Sequence, residues 1–328
     1  MSLTSISRAI ILEPFNNQSN TVEFVIWGFS SSPQLQLLLF IAFLLIYLLT
    51  IFGNFTIITL IFADSRLQKP MYCFLFNMSF LDFSYSTVTA PYLLYRFVTG
   101  NKKLSFMKCM VQLYFFNSFA STEYLLLTTM AYDRYVAICD PLFYPQTMNR
   151  RTCFCLAGSA WSAGFLAAVP VTALTSKLSF CMSTVINHYF CDVASLLKLA
   201  CDDTLPVEIT MFSQGVVLLF SCFLLTVMSY VYIISAILKI RSTEGRLKAF
   251  STCGSHLTVV ILFYLLVVCV YMKPSSTYSL DEEKFLSVFY VNIIPMLNPF
   301  IYSLRNKDVK DAFKNMYEKT LQNKNRKI

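Results

Sequence analysis

An acid and a base lie side by side at the end of a long apolar run, and their types and position suggest a chemical role. Asp133-Arg134-Tyr135 follows the stretch Met110–Ala131, in which Glu123 is the only charged residue. Charges at the end of a membrane-length helix are costly unless they are paired or near water. Asp133 can hold Arg134 by a charge-assisted hydrogen bond, and its release would expose a cationic fork that binds a partner's carbonyl groups. The residues predict a two-state switch, with an ordinary snorkelling charge pair as the alternative.

Two further acids, Asp82 and Glu123, lie in the middle of apolar runs. Isolated carboxylates are costly in lipid, so we expect the two to approach one another in a hydrated cluster that holds a proton or a cation such as sodium. Asn54 and Asn298 come from other apolar runs and are the expected further members. Two alternatives stay open, a purely structural polar cluster and a proton relay. A relay would need more ionisable residues along a path, and the sequence shows none.

A hinge is predicted near the end of the last apolar run, where Pro295 and Pro299 lie four residues apart. Each proline removes a backbone hydrogen bond and bends a helix. Asn298 and water can satisfy the backbone groups that are left. The pattern predicts a kinked helix whose end, with Tyr302, can swing with little repacking on the other side of the kink.

Four cysteines outside the apolar runs can form disulfides. Cys109 heads the third run, and Cys181, Cys191 and Cys201 lie between the fourth and the fifth. In an oxidising compartment four thiols predict two disulfides, for which the residues alone allow three connectivities. The nearby His188 could suggest a metal site, but a disulfide would consume the thiol of Cys191, so no metal is expected there.

Composition indicates a membrane protein rather than an enzyme or a nucleic-acid binder. Hydrophobic residues make up 56% of the 328-residue chain and charged residues only 13%, about half the share of a soluble domain. The net charge of +8 has no soluble basic face on which to bind nucleic acid. The sequence contains no P-loop, HExxH, GxGxxG or Ser-His-Asp set, so enzymatic chemistry has no candidate residues.

Seven segments of nearly uncharged residues are long enough to cross a membrane, and only internally hydrogen-bonded helices suit runs of this length in lipid. The predicted fold class is an all-α membrane protein, a seven-transmembrane helix bundle. The predicted spans are Leu35–Phe62, Met71–Tyr95, Met110–Tyr135, Cys153–Leu174, Val207–Leu238, Phe250–Met272 and Phe285–Leu304.

Charge distribution predicts the orientation of the bundle. An odd number of spans places the termini on opposite sides, and with an external N-terminus seventeen of the 26 Lys and Arg residues lie inside. We therefore expect residues 1–34 to be extracellular, residues 35–304 to form the membrane domain and residues 305–328 to form a cytoplasmic tail. Asn17 is the expected N-glycosylation site, because the matching triplets at Asn54 and Asn77 lie inside predicted spans.

The tail contains a predicted amphipathic helix over Asn306–Thr320, whose apolar residues recur at helical spacing among lysines. Such a helix is typical of one that lies along the inner leaflet. The apolar residues are Val309, Ala312, Phe313, Met316 and Tyr317.

Five strings of residues together resemble the vertebrate odorant receptors, a family of rhodopsin-like G-protein-coupled receptors. They are Met130–Leu142, Pro295–Tyr302, Lys248–Leu257, Pro70-Met71-Tyr72 and Ser229-Tyr230. The resemblance extends from Gly53 to Asn306. Two residues depart from the pattern: Phe143 replaces the usual His and is expected to alter contacts of the second inner loop, and Leu265 replaces the usual Gly and is expected to change the pocket floor.

The resemblance implies a multi-pass receptor in the plasma membrane. Its ligand would be a small-molecule odorant, and its partner would be the olfactory stimulatory heterotrimeric G protein, which raises cyclic AMP. The resemblance also favours the disulfides Cys109–Cys191 and Cys181–Cys201. The implied coupling and switch residues are Asp133, Arg134, Tyr135, Tyr230, Asn298, Pro299 and Tyr302.

A ligand pocket is predicted inside the bundle, upstream of Glu123. Helical geometry puts Phe116, Asn117, Ala120 and Ser121 on the inward face of the third span. By resemblance they face Gln214, Leu218, Tyr264, Val267, Val268, Tyr271 and Val291. Apolar walls with a few hydroxyl and amide groups suit a small, mostly apolar volatile. No acid heads the third span, which disfavours an amine ligand.

Two rival classes were weighed against a receptor. A secondary transporter or channel should show inverted repeats or Gly-broken helices at matching positions in two halves, and the eight Gly of the chain show no such pairing. A structural or adhesive membrane protein would need neither the acid–base pair nor the proline hinge. Ligand-dependent cyclic AMP and uptake of labelled solutes would separate these classes.

Overall fold

The computed structural model of the protein describes residues 23–29, 32–181, 183–271 and 280–325. The helices in chain order are α1 (Pro33–Ala63), α2 (Pro70–Thr99), α3 (Phe106–Cys139), α4 (Tyr144–Thr147), α5 (Arg150–Thr175), α6 (Val193–Leu197), α7 (Leu205–Gln214), α8 (Ser221–Leu238), α9 (Thr243–Tyr271), α10 (Leu280–Val288), α11 (Ile294–Arg305) and α12 (Lys307–Asn325). The seven spans are α1, α2, α3, α5, α7 with α8, α9, and α10 with α11. The predicted seven-helix bundle is confirmed.

Four helical stretches of the described residues are long and apolar enough by themselves to cross a membrane: Pro33–Ala63, Arg150–Thr175, Leu205–Leu238 and Lys284–Ser303. The second and third spans are as long, at 30 and 34 residues. The second and third spans are less apolar than these four stretches, because they bury polar side chains such as Asp82, Glu123 and Arg134. Ionisable residues inside a membrane bundle are costly and generally mark function.

Local sequence explains where several helices begin and end. Pro33 and Pro70 are the first residues of α1 and α2, where a missing backbone N–H removes no helical bond. Asn149 caps α5, because its side-chain oxygen accepts a hydrogen bond from the Thr152 amide at 3.0 Å. Gly100 ends α2 in the left-handed region, at φ 67°.

The fifth and seventh spans each contain a π-helical segment, Gly215–Phe220 and Phe289–Ile293. The sequence analysis did not predict these segments. A π-helical turn widens the helix locally and is frequent at functional sites. Leu218 and Val291, two of the predicted pocket residues, lie within them.

A small sheet lies at one end of the bundle, which we call the cap end; the opposite end, which carries Asp133 and Arg134, is the switch end. The strands are β1 (Glu23–Ile26), β2 (Lys103–Ser105) and β3 (Val185–Ile186), in the order β2-β1-β3. Strand β1 runs antiparallel to β2 and parallel to β3. The sequence analysis did not predict this sheet, since it assigned no strand to residues 1–34 and expected them to be extracellular.

Gly28 fixes the chain just after β1. Its φ of 74° is in the left-handed region, and a Cβ there would overlap the guanidinium of the buried Arg96. Arg96 donates from Nη1 to the Ile26 carbonyl oxygen at 3.4 Å. The start of the described chain is therefore held against the second span.

Two disulfides hold the loop that contains β3 and α6. Cys109 is bonded to Cys191 and Cys181 to Cys201, which is the pairing that the resemblance favours. Gln112 adds a polar link, because its Oε1 accepts from the Cys191 amide at 2.8 Å and its Nε2 donates to the Val88 carbonyl at 2.9 Å. The loop is thus tied to the second and third spans.

The third and fourth spans approach one another closely at Gly164. A Cβ at this position would overlap the Thr122 hydroxyl, so only glycine permits this packing distance. Thr122 is itself fully buried, and its hydroxyl donates a hydrogen bond to the Ser118 carbonyl at 2.8 Å. The contact holds the third span close against the fourth.

The tail helix α12 extends to Asn325, further than the predicted Asn306–Thr320. Val309 and Ala312 are buried in the main hydrophobic cluster, whereas half or more of the side chains of Phe313 and Tyr317 remains exposed. Because an amphipathic helix presents one face to the bundle and an adjoining face to lipid, both observations agree with a helix along a membrane surface.

Candidate ligand pocket, polar cluster and switch

The apolar pocket residues of the prediction meet in the main hydrophobic cluster of the bundle. Phe116, Tyr264 and Val291 are buried members of this cluster, and Ala120 packs against it. The Phe116 ring lies 4.6 Å from the Phe190 ring between centroids. A cluster of this kind can enclose an apolar ligand, and its aromatic rings fix the shape of the enclosure.

The polar pocket residues differ in what they bond. Asn117 Nδ2 is buried and has no hydrogen-bond partner among the described residues. The Tyr264 hydroxyl is also buried, and it lies near the hydroxyls of Thr128 and Thr226. Gln214 Nε2 donates to the Ala167 carbonyl at 2.5 Å, so this amide joins the fifth span to the fourth. Ser121 is half-buried. The Asn117 amide is therefore the group best placed to orient a ligand, and the Tyr264 hydroxyl is a second polar group of the predicted pocket.

Three predicted pocket residues, Val267, Val268 and Tyr271, occupy helical positions in α9. Their side chains lie outside the described part of the structure. Asn17, the predicted glycosylation site, also lies outside the described residues.

Aromatic residues of the long loop close the pocket at the cap end. Tyr189 and Phe190 are fully buried. Phe29, just after Gly28, stacks on Tyr189 with centroids 5.0 Å apart. The N-terminal segment and the loop together thus form an aromatic plug over Phe116.

His188 and Lys284 are buried beneath this plug, and the sequence analysis gave neither a role in it. Lys284 Nζ donates to Asn187 Oδ1 at 2.8 Å and to the Gly28 carbonyl at 3.1 Å. His188 lies 3.3 Å from the Ser287 hydroxyl through Nε2. Burial, with the neighbouring Lys284 ammonium, lowers the pKa of His188 to about 3. The sequence feature that could have indicated this role is Lys284 itself, a single lysine at the start of the seventh span.

Two clefts open on the outer surface of the bundle. One, of about 440 Å³, lies between the first span, the seventh span and α12. The other, of about 550 Å³, lies between the ends of the first, second and fourth spans. Neither contains a predicted pocket residue.

The predicted polar cluster is partly assembled around Asp82. Asn298 Nδ2 donates to Asp82 Oδ2 at 2.9 Å, and both side chains are buried. Glu123 is also buried, its charge interacts with that of Asp82, and its Oε1 has no partner among the described residues. Asn54 and Asn298 each keep an unpaired buried Oδ1. Carboxylate and amide oxygens without donors are the ligands that hard cations prefer, and a sodium ion at this cluster stays a prediction.

The Asn54 amide bonds to the backbone of the hinge and not to either carboxylate. Its Nδ2 donates to the Pro295 carbonyl at 3.1 Å and to the Thr50 carbonyl at 2.9 Å. In a regular helix the amide of residue 299 would bond to the carbonyl of residue 295, and Pro299 has no such amide. The first span therefore satisfies the backbone group that the proline leaves open.

The switch residues form a buried pair at the end of the third span. Arg134 Nη2 lies 3.5 Å from Asp133 Oδ2, and both side chains are almost completely buried. Tyr144, in α4, donates its hydroxyl to Asp133 Oδ1 at 2.9 Å. Tyr135 is half-buried and packs edge-on against Tyr232 of the fifth span. Asp133 thus has a separate partner for each oxygen.

Two tyrosines border the pair from other spans. The Tyr230 hydroxyl in the fifth span lies 2.6 Å from His256 Nδ1 in the sixth. The Tyr302 hydroxyl, beyond the hinge, is buried and has no partner among the described residues. The Tyr230–His256 contact joins the fifth and sixth spans in this conformation. The Tyr302 hydroxyl remains available as a donor in another conformation.

The two departures from the family pattern have different outcomes. Phe143 is exposed and its carbonyl accepts the first hydrogen bonds of α4, so it lies in the loop between the third and fourth spans, as expected. Leu265 is 57% exposed on the outer face of α9, so the expectation that it alters the pocket floor was wrong. Because each helical residue advances by 100°, Leu265 points away from the bundle when Phe263 and Tyr264 are buried.

Comparison with known proteins decides the family. Residues 43–320 match the sequence profile described as "Olfactory receptor". The chain belongs to the olfactory receptor family. Two relatives named "Olfactory receptor 5AR1" match this olfactory receptor: the mouse protein at 51% identity, covering 92% of this chain and 98% of its own length, and the human protein at 48%, covering 93% and 99%.

The fold of this olfactory receptor matches that of squid rhodopsin. The TM-score is 0.68 over 89% of this chain and 83% of the other, at 17% sequence identity, which supports a shared fold. Membership of the olfactory receptor family makes this chain a multi-pass membrane receptor of the G-protein-coupled class. Such receptors bind small molecules and G proteins and are not enzymes.

Proposed function

We propose that this olfactory receptor binds small, mostly apolar volatile molecules inside the bundle. In response, it activates an olfactory-type stimulatory G protein that raises cyclic AMP. The ligand contacts the pocket through apolar walls around Phe116 and Val291, and Asn117 and Tyr264 orient it. The proposal is supported by the combination of a largely apolar cluster with the buried Asn117 amide, whose Nδ2 has no partner among the described residues.

The single observation that carries the coupling step is the buried Asp133–Arg134 pair at the switch end. A buried guanidinium is costly unless it is paired, so the resting bundle is favoured while Asp133 holds it. When the sixth span moves away, Arg134 gains room to bind backbone carbonyls of the G protein. Tyr230 and Tyr302, each near this region, are the residues that we expect to support the released form.

The receptor lies in the plasma membrane with its N-terminus outside, residues 35–304 as the membrane domain and residues 305–328 as the cytoplasmic tail. This orientation is supported by the excess of Lys and Arg in the inner segments. Replacing Asn17 by Gln should then abolish the mobility shift that a glycosidase produces. A glycosidase-sensitive band that persists in this variant would contradict the orientation or the placement of the other two triplets.

Arg134→Ala tests the coupling step. In cells that express the receptor and the olfactory G protein, a broad odorant panel should raise cyclic AMP through the unchanged protein and not through the variant, at matched surface expression. Arg151→Ala, which removes an exposed base from the neighbouring α5, is the control and should retain the response. A full response from Arg134→Ala would contradict the switch role. Odorant-driven solute uptake without cyclic AMP would favour a transporter instead.

A further inference from the structure

The cleft between the second and fourth spans belongs neither to the ligand pocket nor to the switch. Its volume of about 550 Å³ lies within the range of about 300–1,000 Å³ found for small-molecule sites. It opens towards the surrounding lipid near the switch end, where α2 and α5 begin. The cleft can therefore receive a molecule from the membrane without disturbing the bundle.

The part of the cleft further into the membrane is mainly hydrocarbon. Phe62 and Phe76 form an edge-to-face pair on one wall, with centroids 5.3 Å apart. Trp161 lines the opposite wall, and its Nε1 donates to Asn77 Oδ1 at 2.9 Å. Asn77 Nδ2 in turn donates to the Cys73 carbonyl at 2.8 Å. Because these polar groups satisfy one another, this part suits an acyl chain.

The mouth of the cleft at the switch end is basic. It is formed by Gln68, Lys69 and Arg150. Arg150 Nη2 donates to Gln68 Oε1 at 3.3 Å, and among the described residues no carboxylate pairs with Arg150. Lys69 holds Asp308 at 3.0 Å but remains 60% exposed. Arg150 therefore presents most of a planar donor fork without a counter-charge, which matches the geometry of a phosphate group.

We propose that this cleft is a specific site for an anionic phospholipid of the cytoplasmic leaflet. One acyl chain lies between Phe76 and Trp161, and the phosphate group binds Arg150 with help from Lys69. The cytoplasmic leaflet carries the anionic lipids, and basic pockets between transmembrane helices on that side bind their headgroups. A sterol fits the apolar walls but has a single neutral hydroxyl, which would leave Arg150 without a counter-charge, since only Lys69 is already paired, with Asp308.

Binding should stabilise the receptor, because the headgroup would join the start of α2 to the start of α5. Lys69 extends this link to Asp308 of the tail helix α12. The effect should saturate with lipid and depend on the headgroup. General wetting of the bundle by lipid would show neither property.

The test uses the purified full-length receptor in nanodiscs of phosphatidylcholine with a rising fraction of phosphatidylserine, and it measures the midpoint of thermal unfolding. We expect a saturable rise in the midpoint for the unchanged protein. Arg150→Gln should raise the half-saturating lipid fraction about fivefold. Arg151→Gln removes the same charge from the next residue, which is exposed and does not line the cleft, and should behave like the unchanged protein.

A second pair of variants tests the apolar part. Gly158 lines the cleft, and a Cβ there meets nothing within 4 Å, so Gly158→Leu should fold and occupy the space of the acyl chain. Ser159→Leu adds the same side chain at an exposed neighbour outside the cleft. We expect loss of the lipid-dependent rise in the first variant and its retention in the second.

Three outcomes would overturn the proposal. Equal loss in Arg150→Gln and Arg151→Gln would indicate general attraction between bases and an anionic surface. An equal rise with cholesterol in pure phosphatidylcholine would indicate a sterol site. A rise with soluble glycerophosphoserine alone would indicate a headgroup site without an acyl chain. These measurements concern lipid binding, so they do not depend on odorant or G protein.

Discussion

Asn54 donates a hydrogen bond to the carbonyl of Pro295, the backbone group that Pro299 leaves without a helical partner. The bond joins the first span to the hinge of the seventh. Asn54→Ala should leave this buried carbonyl unsatisfied, at a cost of about 1–3 kcal/mol. We expect a lower thermal unfolding midpoint for the purified receptor.

Thr59→Val is the matched control in the same helix, because the Thr59 hydroxyl bonds only to the Phe55 carbonyl of its own span. It should change the midpoint much less. If Asn54→Ala unfolds at the same temperature as the unchanged protein, the bond does not support the hinge.

Tyr144 orients the carboxylate that holds Arg134, because it occupies Asp133 Oδ1 while Arg134 lies beside Oδ2. Burial and the neighbouring carboxylate raise the pKa of Tyr144, which keeps its hydroxyl protonated and able to donate. Tyr144→Phe removes a bond worth about 1 kcal/mol. We expect ligand-independent cyclic AMP to rise a few-fold. Tyr132→Phe, at an exposed tyrosine of the third span, should leave the basal level unchanged.

Sodium should act through Glu123, the carboxylate whose Oε1 has no partner among the described residues. If an ion shared by Asp82 and Glu123 favours the resting bundle, sodium should reduce the odorant response. Glu123→Gln should weaken that reduction and leave the order of preferred odorants unchanged. The measurement is a concentration–response series at varied sodium, with ionic strength held by a bulky cation. A wild-type receptor that ignores sodium would indicate a protonated structural cluster instead.

The cap should loosen at acid pH because of His188. Its pKa of about 3 in the folded protein lies below the ordinary value of about 6.5. The opened form therefore takes up a proton first, so cap stability is complete above pH 6.5 and falls as the pH drops towards 3. At pH 5 the opening equilibrium should rise about 30-fold if opening fully exposes the ring.

Hydrogen exchange at the β1 amides of Val25 and Ile26, corrected for intrinsic rates, measures this opening. His188→Gln should remove the pH dependence. His256, the other histidine of the chain, stays in both proteins and serves as an internal control. An unchanged pH dependence in His188→Gln would assign the effect to another group.

The sequence could predict the elements whose physics is local. Long apolar runs define spans whatever their neighbours, and the spacing of Pro295 and Pro299 defines a bend. The expectation that Asn298 belongs with Asp82 required only that two buried polar groups in lipid find each other, and the structure places them 2.9 Å apart.

What the sequence could not predict depends on which helices are neighbours. Asn54 was expected to lie among the carboxylates. The first span instead lies beside the hinge, and the Asn54 amide donates to the Pro295 carbonyl. Leu265 lies one residue from the buried Tyr264 and yet faces outward. Strand β1 is only four residues long and pairs with segments far along the chain, so no local pattern indicates it.

The order of the sheet has a consequence for how the receptor is made. Strand β1 precedes the seven spans of the bundle in the chain, yet it is the central strand, and its partners follow the second and the fourth spans. Until β3 has been synthesised and delivered, β1 keeps an open edge, which is a template for pairing with other chains. A newly made receptor therefore passes through an interval in which this edge can pair with another chain. Mutations that slow the folding of the loop between the fourth and fifth spans should cause the receptor to be retained inside the cell during biosynthesis, even when the finished bundle is stable.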